Sequence, residues 1–191
     1  MVYVAYLSRM RSSSFCLVFC CLTTLTFAQA VPTAEKTGDI KVGGEVVPAN
    51  LDYGPVRGTG LGVFADYDFA KHLGAEFEFH QLGFSADKVI TERTFEVGGR
   101  FLWPFHPTLP LIGARQLTPF IKMDVGAGKF SFQNKYENAT YSMYAAGGGF
   151  DYNFIRSFDA RIEYEYQRWG SFPGRGLQPN LLSFGIAYRV R

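Results

Sequence analysis

The stretch "ARIEYEYQRW", residues 160–169, alternates with period two. Arg161, Glu163 and Glu165 fall on one side, and Ile162, Tyr164 and Tyr166 on the other. Successive side chains of a strand point to opposite faces, so these residues form a strand with one charged face and one large apolar face. Which face meets water decides whether the chain is soluble or embedded in a membrane.

The same alternation recurs in eight segments, at about 39–48, 58–69, 73–84, 91–103, 118–130, 140–153, 158–170 and 180–190. No sustained 3.6-residue pattern accompanies them. Each segment has about a dozen residues, roughly twice the usual soluble strand of about 5–6, and suits a tilted strand that crosses a bilayer. The connections alternate too. "AKH" and "IRSF" are tight turns, whereas "PANLDYGPVR" and "SFPGRGLQPN" are longer and polar. The exception is "PFHPTLPLIGARQ", which is long where a short turn is expected. Short turns at one end and longer loops at the other mark an outer-membrane barrel, with both termini on the short-turn side. The longer loops are expected at about 49–57, 85–90, 131–139 and 171–179.

The first 30 residues are of another kind. Arg9 and Arg11 precede an apolar run, "FCLVFCCLTTLTF", that ends in Ala28-Gln29-Ala30. The run is too short for a membrane helix of about 20 residues. It has the charged start, apolar middle and A-x-A end of a secretory signal peptide, with Ala28 and Ala30 setting the cleavage before Val31. Residues 1–30 are therefore expected to be the signal peptide and 31–191 a single barrel domain. All three cysteines (Cys16, Cys20 and Cys21) leave with the signal, so no disulfide and no thiolate metal site is expected. Two of the 19 basic residues leave as well, which brings the basic count level with the 17 acidic ones. That balance removes the electrostatic footprint of a nucleic-acid binder.

Two closed barrels are compatible with the pattern. A soluble exported barrel would point the apolar set inward around a small hydrophobic ligand. A membrane barrel would point it outward into lipid. Volume separates the two, because an eight-stranded barrel holds little more than its own inward side chains. The apolar set contains many large aromatics and would overfill that space. The charged set is interleaved with glycines, such as Gly126 and Gly128 after Lys122 and Asp124. The expected fold is all-β, an eight-stranded antiparallel up-and-down transmembrane barrel with its charged face inside.

Buried charges need partners. A lumen network is expected among Glu76, Glu78, Glu96, Arg100, Lys122, Asp124, Arg161, Glu163 and Glu165, at comparable heights on neighbouring strands. It could line a narrow channel, or it could plug the interior and fix strand register. The i, i+2 carboxylate pairs follow from strand alternation, and no His–Ser–acid trio is placed, so no enzyme is expected. No cofactor or metal is expected either. Strand direction places Arg57, Arg93, Lys129 and Arg168 near the loop ends with outward parity. They could form a girdle facing lipopolysaccharide phosphates, for which Arg is suited, or be ordinary solvated residues.

The mature chain resembles the OmpA-like and OmpX-like outer-membrane β-barrel proteins. The pieces that carry the resemblance are "LGVFADYDFAKHLGAEFEF", "TPFIKMDVGAGKF", "AAGGGFDYNF" followed by "DARIEYEYQRW", and the final "LLSFGIAYRV". Ser183, Gly185, Tyr188 and Val190 fit that family's signal for the barrel assembly machinery. The family usually closes on an aromatic residue, whereas this chain closes on Val190-Arg191. The resemblance implies an outer-membrane location amid lipid and lipopolysaccharide, a monomer, and surface or host ligands met through the loops. It implies the barrel alone, without the peptidoglycan-binding domain of OmpA proper.

Overall fold

A computed structural model describes residues 38–50, 52, 57–86, 88–109, 113–132, 139–170 and 176–190, with side chains for all of these except 84–86, 88–90, 108–109, 113–114, 132 and 139. Residues 1–30, the expected signal peptide with Ala28 and Ala30, lie outside the described residues. The strands are β1 (Asp39–Asn50), β2 (Arg57–Ala70), β3 (Leu73–Ala86), β4 (Lys88–Leu102), β5 (Thr108–Leu109), β6 (Gly113–Ala114), β7 (Leu117–Phe132), β8 (Ala139–Ile155), β9 (Phe158–Trp169) and β10 (Asn180–Val190). Eight of them close antiparallel in the order β1-β10-β9-β8-β7-β4-β3-β2. The small β5–β6 hairpin lies within the long connection between β4 and β7.

The register fixes the geometry of closure. Paired residues run from Ile40 through Tyr67, Ala75, Gly99, Met123, Ala146, Tyr166 and Asn180 back to Asn50. One circuit therefore climbs ten residues along β1, from position 40 to position 50. With eight strands and ordinary strand spacings, that stagger tilts each strand by roughly 41°. Each residue then rises about 2.5 Å along the barrel axis, and each step to the next strand about 3 Å.

Burial alternates along the strands as the sequence pattern requires. In β9 the residues from Asp159 to Trp169 at odd numbers are buried, while Ile162 and Tyr164 are about half exposed, at 51% and 53%. The apolar set points outward on every long strand, as at Leu61, Phe77, Phe95, Ile121, Phe150 and Phe184. From Phe69 and Val190 up to Phe95 and Tyr144, this outward band is about 23 Å tall, close to the roughly 25 Å belt of outer-membrane barrels. Aromatics mark its edges: Tyr67, Trp103, Phe158 and Tyr188 below, Tyr144, Tyr166 and Phe95 above.

One loop expectation is corrected. Residues 85–90 are mostly strand, because the β3–β4 ladder continues to the pair Ala86–Lys88. A ladder that needs no lipid to satisfy its backbone groups can extend past the membrane, and alternation alone did not reveal where pairing stops. The other three loop expectations, about 49–57, 131–139 and 171–179, fall largely outside the described residues.

The depth of each outward residue makes a prediction. Ile162→Arg, near mid-height, should cost roughly 2–4 kcal/mol, and Gln81→Arg, near the extracellular edge, at most about 1 kcal/mol. Urea titration of the barrel in lipid vesicles measures both.

Candidate functional site

The inward faces of the eight strands build a charged column. All nine residues of the expected network are 1–4% exposed and lie inside it. They do not sit at one height, as the sequence pattern suggested. The stagger between strands separates them into two layers.

The layer nearer the periplasmic end is built on guanidinium groups. Arg100 pairs with Asp66 through Nη1, lies 3.1 Å from Glu76 through Nε and 2.9 Å from Asp151 through Nη2. Arg161 meets the same three acids: Asp66 through Nη2, Glu76 at 3.3 Å and Asp151 at 2.8 Å. Lys41 completes the layer, 3.2 Å from both Asp68 and Asp151. Two inward aromatics share it. Arg161 lies over the Phe64 ring at 3.9 Å and Arg100 over Phe120 at 4.1 Å, cation–π contacts strengthened by the lack of water.

The layer above is rich in carboxylates. Lys122 is its one Lys or Arg among the described residues. Its ammonium contacts Glu76 at 3.3 Å and Asp124 at 3.7 Å, and pairs closely with Glu78, Glu163 and Glu165. Above Lys122, His80 bonds Glu45 through Nε2 at 2.7 Å and faces Thr94 and Glu96 through Nδ1. The Gln167 amide donates to Glu96 at 3.0 Å and to Glu165 at 2.7 Å, and accepts from the Trp169 indole at 3.0 Å.

Two apolar clusters close the column at the loop end: Phe130, Met143, Ala145, Trp169 and Leu177, and Val47, Ala49, Leu82 and Leu181. Gly128 leaves the space that the Trp169 ring fills, since a Cβ there would collide with the indole. Gly176 takes a φ of +79°, the left-handed conformation that glycine adopts without strain, as the chain turns to lay Leu177 over Trp169. Glu92 sits in register between Leu82 and Phe130, fully buried, with neither carboxylate oxygen hydrogen-bonded within the protein.

Inward parity also takes in Asp66, Asp151, Glu45 and His80, which hold the network together as much as the nine expected residues do. Phe64, Phe120, Gln167 and Trp169 share the inward parity but carry no charge, so the charge pattern does not single them out. Reading every residue of that parity, rather than the charged ones, would have found them.

On the outside, Arg57, Arg93, Lys129 and Arg168 are all exposed. The register places them within about 4 Å of one another in height, at about 24–28 Å above Ile40, where the apolar band ends at about 20 Å. Arg93 and Lys129 are directly paired across β4 and β7, and Arg93 Nε donates to Gln81 at 3.1 Å. Below Arg168 lies an apolar groove of about 480 Å³ lined by Val97, Met123, Val125, Tyr144, Ala146 and Tyr166. Of the final-strand residues, Ser183 is buried in the lumen, while Tyr188 and Val190 face outward. The three histidines are apart: His80 is in the lumen, His72 bonds the Leu102 carbonyl at 2.8 Å near a turn, and His106 is exposed.

The closed eight-strand ladder with an apolar exterior is also what comparison with known proteins returns. The family model described as outer membrane protein beta-barrel domain matches residues 17–189. The chain belongs to that family. It is a bacterial outer-membrane barrel, set among lipid and lipopolysaccharide. Neisserial surface protein A aligns with a TM-score of 0.60 at 13% identity, over 81% of this chain and 98% of that one. OprG from Pseudomonas aeruginosa aligns at 0.52 and 15%, over 82% and 98%. The outer membrane protein AlkL, solved in lipid bilayers, aligns at 0.52 and 13%, over 85% and 95%. At these identities the likeness is one of fold. No curated protein matches the chain.

Breaking a buried ion pair from one side leaves the other charge unpaired. Arg161→Met in this barrel should therefore cost about 3–5 kcal/mol, read as a lowered urea midpoint. Glu92→Gln should raise that midpoint, because it removes a buried carboxylate that has no partner to lose.

Proposed function

We propose that this barrel is a plugged scaffold that presents its extracellular loops for surface interaction, in the manner of an adhesin. The observation that supports this most directly is the filled lumen. The two charged layers and the apolar clusters above them occupy the column along its height, and every network residue is almost fully buried. A scaffold of this kind fixes the loops at one end, and loops on rigid scaffolds carry function. Residues 1–30 serve in export and are cleaved after Ala30. The final-strand signal of Ser183, Gly185, Tyr188 and Val190 engages the assembly machinery, and the barrel works as a monomer.

The basic ring anchors the barrel in lipopolysaccharide. Arg57, Arg93, Lys129 and Arg168 lie just above the apolar band, the level at which lipid phosphates meet a barrel's outer edge. Bidentate guanidinium–phosphate contacts suit that position. The groove beneath Arg168 would take an acyl chain of the same lipid.

Planar-bilayer recording tests the plug: purified protein should show no steady conductance, and stable single-channel steps would favour a narrow channel instead. Exchanging the loops for those of an unrelated barrel should abolish binding to host or bacterial surfaces while the protein keeps its heat-modifiable gel mobility. Replacing all four basic residues by Ser should lower co-purified lipopolysaccharide at least several-fold; unchanged lipopolysaccharide would rule out the girdle. The mass of the mature protein reports the cleavage site.

A further inference from the structure

We propose that the upper lumen holds one divalent transition-metal cation, ligated by His80 Nδ1 and the carboxylates of Glu96 and Glu165. The three residues project inward from β3, β4 and β9, and their ligand atoms lie within 4.8 Å of one another. All three are 2% exposed. An imidazole with two carboxylates suits zinc and its neighbours, whereas calcium and magnesium prefer oxygen alone.

The surroundings hold the three groups in place. Glu45 Oε1 lies 2.7 Å from His80 Nε2. A carboxylate on one ring nitrogen keeps the proton there and leaves the other nitrogen's lone pair for a metal, the usual support of a histidine ligand. The other nitrogen, Nδ1, lies 3.2 Å from the Thr94 hydroxyl and 3.4 Å from Glu96. Gln167 then ties Glu96 to Glu165, and Trp169 fixes Gln167. Two carboxylates are thus drawn together around one imidazole, with Oε2 of Glu96 unbonded within the protein.

A separate residue of the region is short of partners. Asp124, on β7 and outside the ligand set, is 4% exposed, yet neither of its carboxylate oxygens has a hydrogen-bond partner. The nearest cation is Lys122 at 3.7 Å, which already serves four other carboxylates. Glu76, Glu78, Asp124, Glu163 and Glu165 share the Lys122 ammonium, with Arg161 4.0 Å from Glu163, while Glu45 and Glu96 lie beside His80. A bound dication offsets part of that excess. The neighbouring triad of Glu76, Glu78 and Glu163 has similar spacing, but Lys122 pairs with all three of its acids, whereas it touches the His80 set through Glu165 alone.

The apolar clusters lie above the site, so zinc is best supplied during refolding. The barrel is refolded in detergent with zinc chloride, dialysed without chelator, and its zinc measured by plasma mass spectrometry, with folding checked by heat-modifiable mobility. The wild type should retain one zinc per chain. His80→Gln and Glu96→Gln should each retain less than a tenth of that, Glu45→Gln should weaken retention about 10–100-fold, and Glu92→Gln should retain it in full. Cobalt in place of zinc should give the visible absorption of a nitrogen- and oxygen-ligated site in the wild type, a readout that requires no variant to fold. No retained zinc in the wild type, no cobalt spectrum, or full retention in folded His80→Gln would overturn the proposal.

Discussion

The narrowness of an eight-stranded lumen governs the rest of this structure. The ten-residue climb of the register around the barrel sets a tilt and a radius, and that radius leaves room for one layer of inward side chains at each height. Large apolar groups cannot all fit inside, so they face outward, and only lipid accepts a band of that size. Once lipid surrounds the barrel, every inward polar group must find its partner within the column. The shared use of Asp66, Glu76 and Asp151 by Arg100 and Arg161 is the direct result. Two cations and three acids bonded crosswise keep every charge beside an opposite one, which is the condition under which a buried ion network is tolerated.

The two layers differ in the cations they set against their acids, though both keep some polar atoms without hydrogen bonds. In the lower one, planar guanidinium forks reach several carboxylates at once and also lie on aromatic faces. In the upper one, a single ammonium stands among many acids, and oxygens of Glu45, Glu96 and Asp124 remain unbonded. The lower layer therefore reads as structural, while the upper one has the uneven charge of a place where something else can bind.

Much of this was legible in the sequence. Period-two alternation gave the strand faces of "ARIEYEYQRW" and its seven counterparts, because parity is a local property of a strand. Volume then assigned the faces. Heights were not legible, because they depend on how ten residues of stagger are shared among eight ladders, and no local pattern carries that number. Glu163 and Arg161 are two residues apart in sequence, yet one belongs to the cluster around Lys122 and the other to the guanidinium layer. The apolar lid was missed for another reason. Leu177 follows a loop with no alternation, and its place over Trp169 depends on the turn at Gly176. The metal-ligand set was hidden because His80, Glu96 and Glu165 come from three strands and share no spacing.

The seam where β1 meets β10 joins the two ends of the barrel, and Arg189 closes it. From β10 this side chain reaches Asp39 on β1 at 3.5 Å and Asp159 on β9 at 2.9 Å. A slip of one residue along that seam would turn Arg189 toward lipid and away from both acids, because one step reverses every face. Only the correct register sets Arg189 between Asp39 and Asp159 where the first and last strands meet.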